Sequence, residues 1–400
     1  MAEERTMEQR GAGRRPSSGR RARAHRKGGG VDIPLLIVMA GLMIFGLLMI
    51  FSTSAYNAGE DQASFLRMQL LAEVLGAVAI FVVYMLPYSF LKLLGGKRMR
   101  WVILGFAVFM LLLLKTPLGI TAKGATRWIR LGPLRVQPAE IAKVAVIIFF
   151  AAHISEKPER INTLKGYLIP MGIATVLAGL VYGVSKNLSS AIIVMGIATL
   201  MMFLGTKDWK FQMIGYPALV AAAGYMMIQK VKNAPDPEAL SFRYQRIMIW
   251  LDPNKYVTGN GYQTLQALYA IGSGGITGKG IGKGIQKLGT IPEVHNDMIF
   301  SVICEELGLV GAVVVLILFA ILLYRCLLIA LSSTDSYGML LCMGVFLHIA
   351  IQVVLNILVV TNTMPNTGVS LPFISYGGSS VSFLMAEMGL VLRVARENEV

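Results

Sequence analysis

Charge is scarce in this 400-residue chain: 15% of its residues are Asp, Glu, Lys or Arg, against 55% hydrophobic. Soluble domains carry about 25% charged residues, so an ordinary soluble domain is excluded, and the mean hydropathy of +0.63 agrees. Cysteine is nearly absent. Cys304, Cys326 and Cys342 all lie in apolar runs without CxxC or Cys/His spacing, which argues against a disulfide framework and a thiolate metal site. Acid is the scarcer charge, 22 Asp and Glu against 37 Lys and Arg, for a net charge of +15. Nine of those basic residues, with three Glu, stand among the Gly, Ser and Pro of residues 1–30. This composition predicts a disordered basic cytoplasmic tail that meets anionic lipid, not nucleic acid. No cleavable signal peptide is expected, because the first apolar run is long, lacks a small-residue cleavage site and is followed by many others.

Apolar runs of roughly 17–25 residues are long enough to cross a hydrocarbon core of about 30 Å. Ten are read here, near 33–52, 68–88, 101–114, 138–154, 166–184, 188–205, 211–228, 297–324, 337–360 and 370–392. The expected fold is an all-α polytopic membrane domain over 31–395. The Lys/Arg bias around the first span puts the N-terminus in the cytoplasm, and ten spans return the C-terminus there. Two loops oppose the bias. Segment 115–137 is outside yet carries Lys115, Lys123, Arg127, Arg130 and Arg135 and no acid. The large extracytoplasmic loop 229–296 carries eight Lys/Arg against four acids. Either the topology is inverted or these charges serve an anionic ligand, and the second is the expectation, because inversion would place the basic tail outside. Within that loop, 261–271 predicts an interfacial helix.

Several segments carry chemistry. The glycine-rich run Gly272–Gly289 has neither a P-loop nor a GxGxxG register. It is either a flexible basic loop bringing Lys279, Lys283 and Lys287 to a phosphate, or a solvated turn region. Asp297 opens the eighth span, where it serves as a helix N-cap, as a carboxylate facing a lipid-adjacent cavity, or as both. Glu293, His295 and Asp297 at alternate positions are a weak metal pattern, and no metal ligand is assigned. Inside the membrane, Glu140 and Lys143 are spaced to pair. Glu305, Glu306 and Glu387 are further buried acids, and His348, Gln352 and Asn356 form one polar stripe whose plain use is interhelical hydrogen bonding. The run from Met364 to Ser380 holds two prolines, three glycines and five Ser/Thr hydroxyls. Irregular backbone at membrane depth is tolerated only where it is buried in protein or lines a watery cavity.

These residues resemble a known family. The segments are Arg127-Trp128-Ile129, Gln137-Pro138-Ala139-Glu140, Gly261-Tyr262-Gln263, Gln286-Lys287, Pro292-Glu293-x-His295-x-Asp297 and Glu305-Glu306-Leu307-Gly308. With Pro365-x-Thr367-Gly368-x-x-Leu371-Pro372-Phe373-x-Ser375-Tyr376-Gly377-Gly378-Ser379, they look like the SEDS proteins FtsW, RodA and SpoVE, most like FtsW and SpoVE. The resemblance spans about 31–395 and implies ten helices and a peptidoglycan glycosyltransferase that uses lipid II outside the cytoplasm. It implies as partners a class B penicillin-binding transpeptidase and other divisome or spore-cortex membrane proteins. By position Asp297 matches the family's essential carboxylate and Trp128 an important tryptophan. Many members carry Pro-Asp-x-Gly-Thr where this chain has Lys186-Asn187-Leu188-Ser189-Ser190, so no catalytic carboxylate is placed there.

The chemistry that follows needs a base for a sugar hydroxyl, for which Asp297 is the candidate, and cations for a departing diphosphate. The candidates around the substrate are Lys123, Arg127, Trp128, Arg130, Arg246, Gln263, Lys287, His295, Ser375 and Ser379. A divalent cation, magnesium or manganese, is compatible with the diphosphate. The rival expectation is a flippase or transporter of the same lipid-linked precursor, for which Pro170 and Pro217 offer kinks. Against it, no internal repeat and no matched pair of broken helices is visible.

Overall fold

A computed structural model describes residues 31–54, 62–122, 124–132, 134–206, 216–233, 242–255, 260–287 and 294–398. The basic tail 1–30, Lys123, Pro292, Glu293 and the first part of the expected span 211–228 lie outside the described residues.

The expected spans appear as α1 (Ile33–Ser54), α2 (Gln62–Met85), α4 (Met99–Leu113), α5 (Pro138–Glu156), α7 (Leu164–Ser185) and α8 (Leu188–Gly205). They continue in α9 (Tyr216–Lys232), α12 (Ile299–Leu331), α13 (Ser336–Val360) and α14 (Gly378–Asn398). Short helices α3 (Tyr88–Leu94), α6 (Pro158–Ile161), α10 (Phe242–Leu251) and α11 (Asn260–Gly274) lie between them, α11 being the expected interfacial helix. Among the described residues, eight helices are long and apolar enough to cross a membrane. The others of the ten are α4, apolar but only 15 residues or about 22 Å long, and α9, whose 17 residues end in Gln229, Lys230 and Lys232.

Helix ends follow local chemistry. Pro138 opens α5 at a position that needs no backbone N–H. Asn187 caps α8 by accepting from Ser190 N at 3.0 Å, and Asp335 caps α13 by accepting from Gly338 N at 2.8 Å. The centre of the bundle is α5, whose window is 78% buried; it packs on α4, α7, α8, α13 and α14. By contrast α1 and α2 present Ile37, Ile44, Val78 and Phe81 outward, as lipid-facing helices do.

Buried polar side chains tie the bundle together. Glu140 and Lys143 pair on α5 at 2.8 Å, nearly sealed from solvent. His348 Nδ1 on α13 lies 2.7 Å from Glu387 Oε2 on α14, so this part of the polar stripe is an interhelical bond.

Two features depart from the expected pattern. First, the segment between α4 and α5 contains a three-stranded antiparallel sheet: β1 (Gly119–Ala122), β2 (Ala125–Leu131) and β3 (Leu134–Val136). Its β-branched residues and the Gly132-Pro133 dipeptide were legible signals in the sequence. Second, α12 is two helical pieces broken at Gly308, whose φ of 67° and ψ of −165° are open to glycine alone. The piece after the break, Leu309–Leu331, is about 34 Å long and spans the membrane by itself. The piece before it, carrying Glu305 and Glu306, sits at the level of the C-terminal end of α1, where Ser52 donates to Glu306.

Candidate active site

Residues 275–287, the glycine-rich run, close over the break in α12. Lys279 N and Gly280 N donate to the carbonyls of Glu305 and Glu306, while Leu309 N and Val310 N donate to the carbonyls of Gly275 and Ile276. The groups freed by the break thus find partners in the loop, as buried backbone must. Gly278, at φ 77°, lies so close to the Glu306 carbonyl that a Cβ would collide with it. Both glutamates are fully buried. Glu305 accepts from Lys279 Nζ at 2.8 Å, Ile285 N at 2.9 Å and Gln286 N at 3.2 Å. Glu306 accepts from Lys287 Nζ at 2.6 Å, Ser52 Oγ at 2.8 Å and Gly282 N at 3.1 Å.

This corrects the phosphate-loop expectation. Lys287 is only 4% exposed and its ammonium is already held by Glu306 and Ser52, so it is a buried ion-pair partner and not a substrate cation. Lys279 is likewise engaged by Glu305 and Ser273.

Asp297 behaves differently. The N-cap position of α12 is Met298, whose side chain makes no cap hydrogen bond, and Asp297 stands one residue before it. Asp297 stands half-buried in the turn 294–298 just before that helix. Its backbone carbonyl accepts from Asn356 Nδ2 at 2.8 Å. A Cβ built on Gly368 would lie 3.6 Å from Asp297 Oδ2, so the segment between α13 and α14 runs beside the carboxylate.

The sheet contributes the facing charge. In β2, Trp128 pairs with Ile120 and Thr126 with Thr121, so Arg127 is the extra residue of a bulge. Bulges re-aim side chains and are frequent beside active sites. Burial pushes the Arg127 guanidinium below its ordinary value, and the nearby Asp297 carboxylate draws it back up. Arg127 and Asp297 therefore share one partly desolvated region. Arg130 is exposed, on the face opposite fully buried Ile129. Trp128 is half-buried on that same opposite face.

Around this pair the segment 361–377 is irregular, as its prolines and glycines require, and donors from several helices hold its carbonyls. Arg246 Nη1 donates to Asn366 O at 2.8 Å and Trp250 Nε1 to Asn362 O at 3.1 Å. Ser189 donates to Thr367 O and Asn356 to Val369 O at 2.7 Å. Arg246, Gln263, Thr264, Trp250, Asn362 and Asn366 enclose a small polar cavity. His295 packs between Phe65 and Tyr376, with ring centroids 4.7 and 5.5 Å away, and its carbonyl accepts from Tyr376 N. Ser375 is buried and its Oγ accepts from Leu371 N at 2.7 Å. It shapes the loop and does not present a free hydroxyl, against expectation. Ser379 lies half-buried in the first turn of α14. Trp250 and Ser189 were not expected at the site, and nothing in their local sequence marked them.

The family model described as "Cell cycle protein", covering FtsW, RodA and SpoVE, matches residues 33–400. The chain belongs to this family. It is 34% identical to stage V sporulation protein E of Bacillus subtilis (strain 168), over 91% of this chain and 97% of that one. It is 35% identical to the protein named "Probable peptidoglycan glycosyltransferase FtsW" of Trichlorobacter lovleyi, over 91% and 93%. Its fold matches a chain from a peptidoglycan synthase complex said to coordinate polymerization and crosslinking. There the TM-score is 0.75 at 27% identity, over 92% of this chain and 98% of that one. The rod shape determining protein RodA of Thermus thermophilus matches with a TM-score of 0.66 at 27% identity, with the same coverage. Where many members have Pro-Asp-x-Gly-Thr, this chain uses Asn187 as a cap and Ser189 as a donor to the site loop.

Proposed function

We propose that this protein is a peptidoglycan glycosyltransferase that polymerises lipid II into glycan strands at the outer face of the cytoplasmic membrane. Both termini lie in the cytoplasm in this reading. The observation that carries it is the contrast between carboxylates: Asp297 is half-exposed beside Arg127, while Glu305 and Glu306 are buried and saturated.

In the reaction, the 4-hydroxyl oxygen of one lipid II bonds to C1 of the sugar on the growing chain. The bond from that C1 to the lipid diphosphate breaks, and the diphosphate leaves with its electron pair. Asp297 takes the hydroxyl proton as general base, a role worth about 10²–10⁴-fold. One general base, Asp297, fits one displacement with inversion. Arg127 sits where a fixed cation meets the developing negative charge, and Arg246 and Gln263 line the adjoining polar cavity. Lys123, Trp128, His295 and Ser379 remain candidate contacts for the sugar, diphosphate or isoprenoid. No group of three or more His, Cys, Asp or Glu gathers among the described residues, and a divalent cation on a diphosphate needs only one or two protein carboxylates, the rest of its shell being phosphate oxygens and water. Magnesium or manganese enters this reading only as a counter-ion of the diphosphate.

The names of the relatives support peptidoglycan synthesis for division or sporulation, with a class B penicillin-binding transpeptidase as partner. Location at the division septum and contact with divisome or spore-cortex proteins extend the same proposal. The test is the full chain in vesicles with labelled lipid II, with and without the transpeptidase. Polymer in the outer leaflet is expected. Transbilayer movement of lipid II without polymer would replace this reading with that of a flippase.

A further inference from the structure

Asn356 differs from the other donors to the site loop. Arg246, Trp250 and Ser189 each hold a carbonyl of the 362–367 segment. Asn356 uses one Nδ2 for two carbonyls on two different elements, Val369 O at 2.7 Å and Asp297 O at 2.8 Å. The residue is fully buried on α13, so no bulk water substitutes for either bond. Its mount is fixed as well, since His348 two turns below on the same helix is bonded to Glu387 of α14. The turn that carries Asp297 leads into α12, whose N-cap residue Met298 makes no side-chain cap hydrogen bond. The Asp297 peptide is held from outside the turn by the Asn356 amide.

We infer that Asn356 is a positioning residue for glycosyl transfer, acting through Asp297: one buried amide fixes the base against the loop that carries Gly368. The inference rests on the reading of Asp297 as the base. Its chemical requirement is donation in two directions. An isosteric Asp in its place would turn acceptors toward two carbonyl oxygens, and when protonated it would restore one donor.

The experiment measures lipid II polymerisation by the full-length reconstituted protein as wild type, Asn356→Asp, Asn356→Ser and Asp297→Asn, each normalised to folded protein. For Asn356→Asp, kcat is expected to fall about 100-fold, the scale of a misplaced catalytic group, while KM stays within about threefold. The ratio of its kcat to that of wild type should rise as pH is lowered, and Asn356→Ser should fall between the two. A merely structural role would lower folded yield without that pH-dependent ratio. Asn356→Asp with kcat within about twofold of wild type, or with a rise in KM alone, overturns the inference. If Asn356→Asp does not fold, Asn356→Ser, which adds no bulk, decides by the same split between kcat and KM. Wild-type polymerisation by Asp297→Asn would instead overturn the assignment of the base.

Discussion

Asp297 and the pair Glu305 and Glu306 lie on one stretch of chain, eight and nine residues apart, and meet opposite fates. The two glutamates are 0% exposed and their oxygens are occupied by two lysines, a serine and backbone N–H groups. Asp297 is half-buried, lies outside the helix, and has Arg127 within electrostatic reach. A saturated buried carboxylate stabilises a fold and is unavailable as a base; a positioned, accessible one can take a proton. The glycine-rich loop therefore protects a break in α12, and in the proposed function the chemistry falls to the turn before it.

The comparison breaks most visibly at the buried pair. Lys287→Met leaves the Glu306 carboxylate without its cation and should cost about 3–5 kcal/mol of stability. A large drop in thermal unfolding midpoint in detergent would register it, and Lys287→Met with Glu306→Gln should recover part of the loss. At the other carboxylate, Arg127→Gln should leave that midpoint nearly unchanged and reduce polymerisation about 10–100-fold. Removing an opposite charge disfavours ionised Asp297, so the acid limb of the pH–rate profile should move to higher pH. An unshifted limb would separate Arg127 from Asp297. Gly368→Ala places a side chain at φ 74° and a methyl near Asp297 Oδ2. It should cost about 1–2 kcal/mol in stability and several-fold in rate. Arg130→Gln should change polymerisation by less than about twofold, since it removes an exposed charge; a loss as large as that of Arg127→Gln would contradict the bulge geometry.

Helices were readable because span length and apolarity are local: the expected 188–205 coincides with α8, and 138–154 with most of α5. The expected tenth span at 370 begins instead at Gly378, because the Pro-, Gly- and Ser-rich segment before it is held by other helices' donors. Asp297 could be singled out by position, yet cap and catalyst look alike in sequence, and it is the carbonyl bond from Asn356 and the nearness of Arg127 that add to the catalytic reading. Lys287 looked like a surface cation because its partners are distant in sequence, Ser52 and Glu306. The bulge that aims Arg127 depends on strand pairing across β1 and β2, which composition does not encode. Long-range polar pairing was thus the illegible part, and it is what separates the two acid sites.

The most direct test is lipid II polymerisation by Asp297→Asn, compared with wild type at equal amounts of folded protein. The account predicts an unfolding midpoint like that of wild type and a loss of polymer of about 10²–10⁴-fold. Polymer at the wild-type rate from a folded Asp297→Asn protein would contradict it.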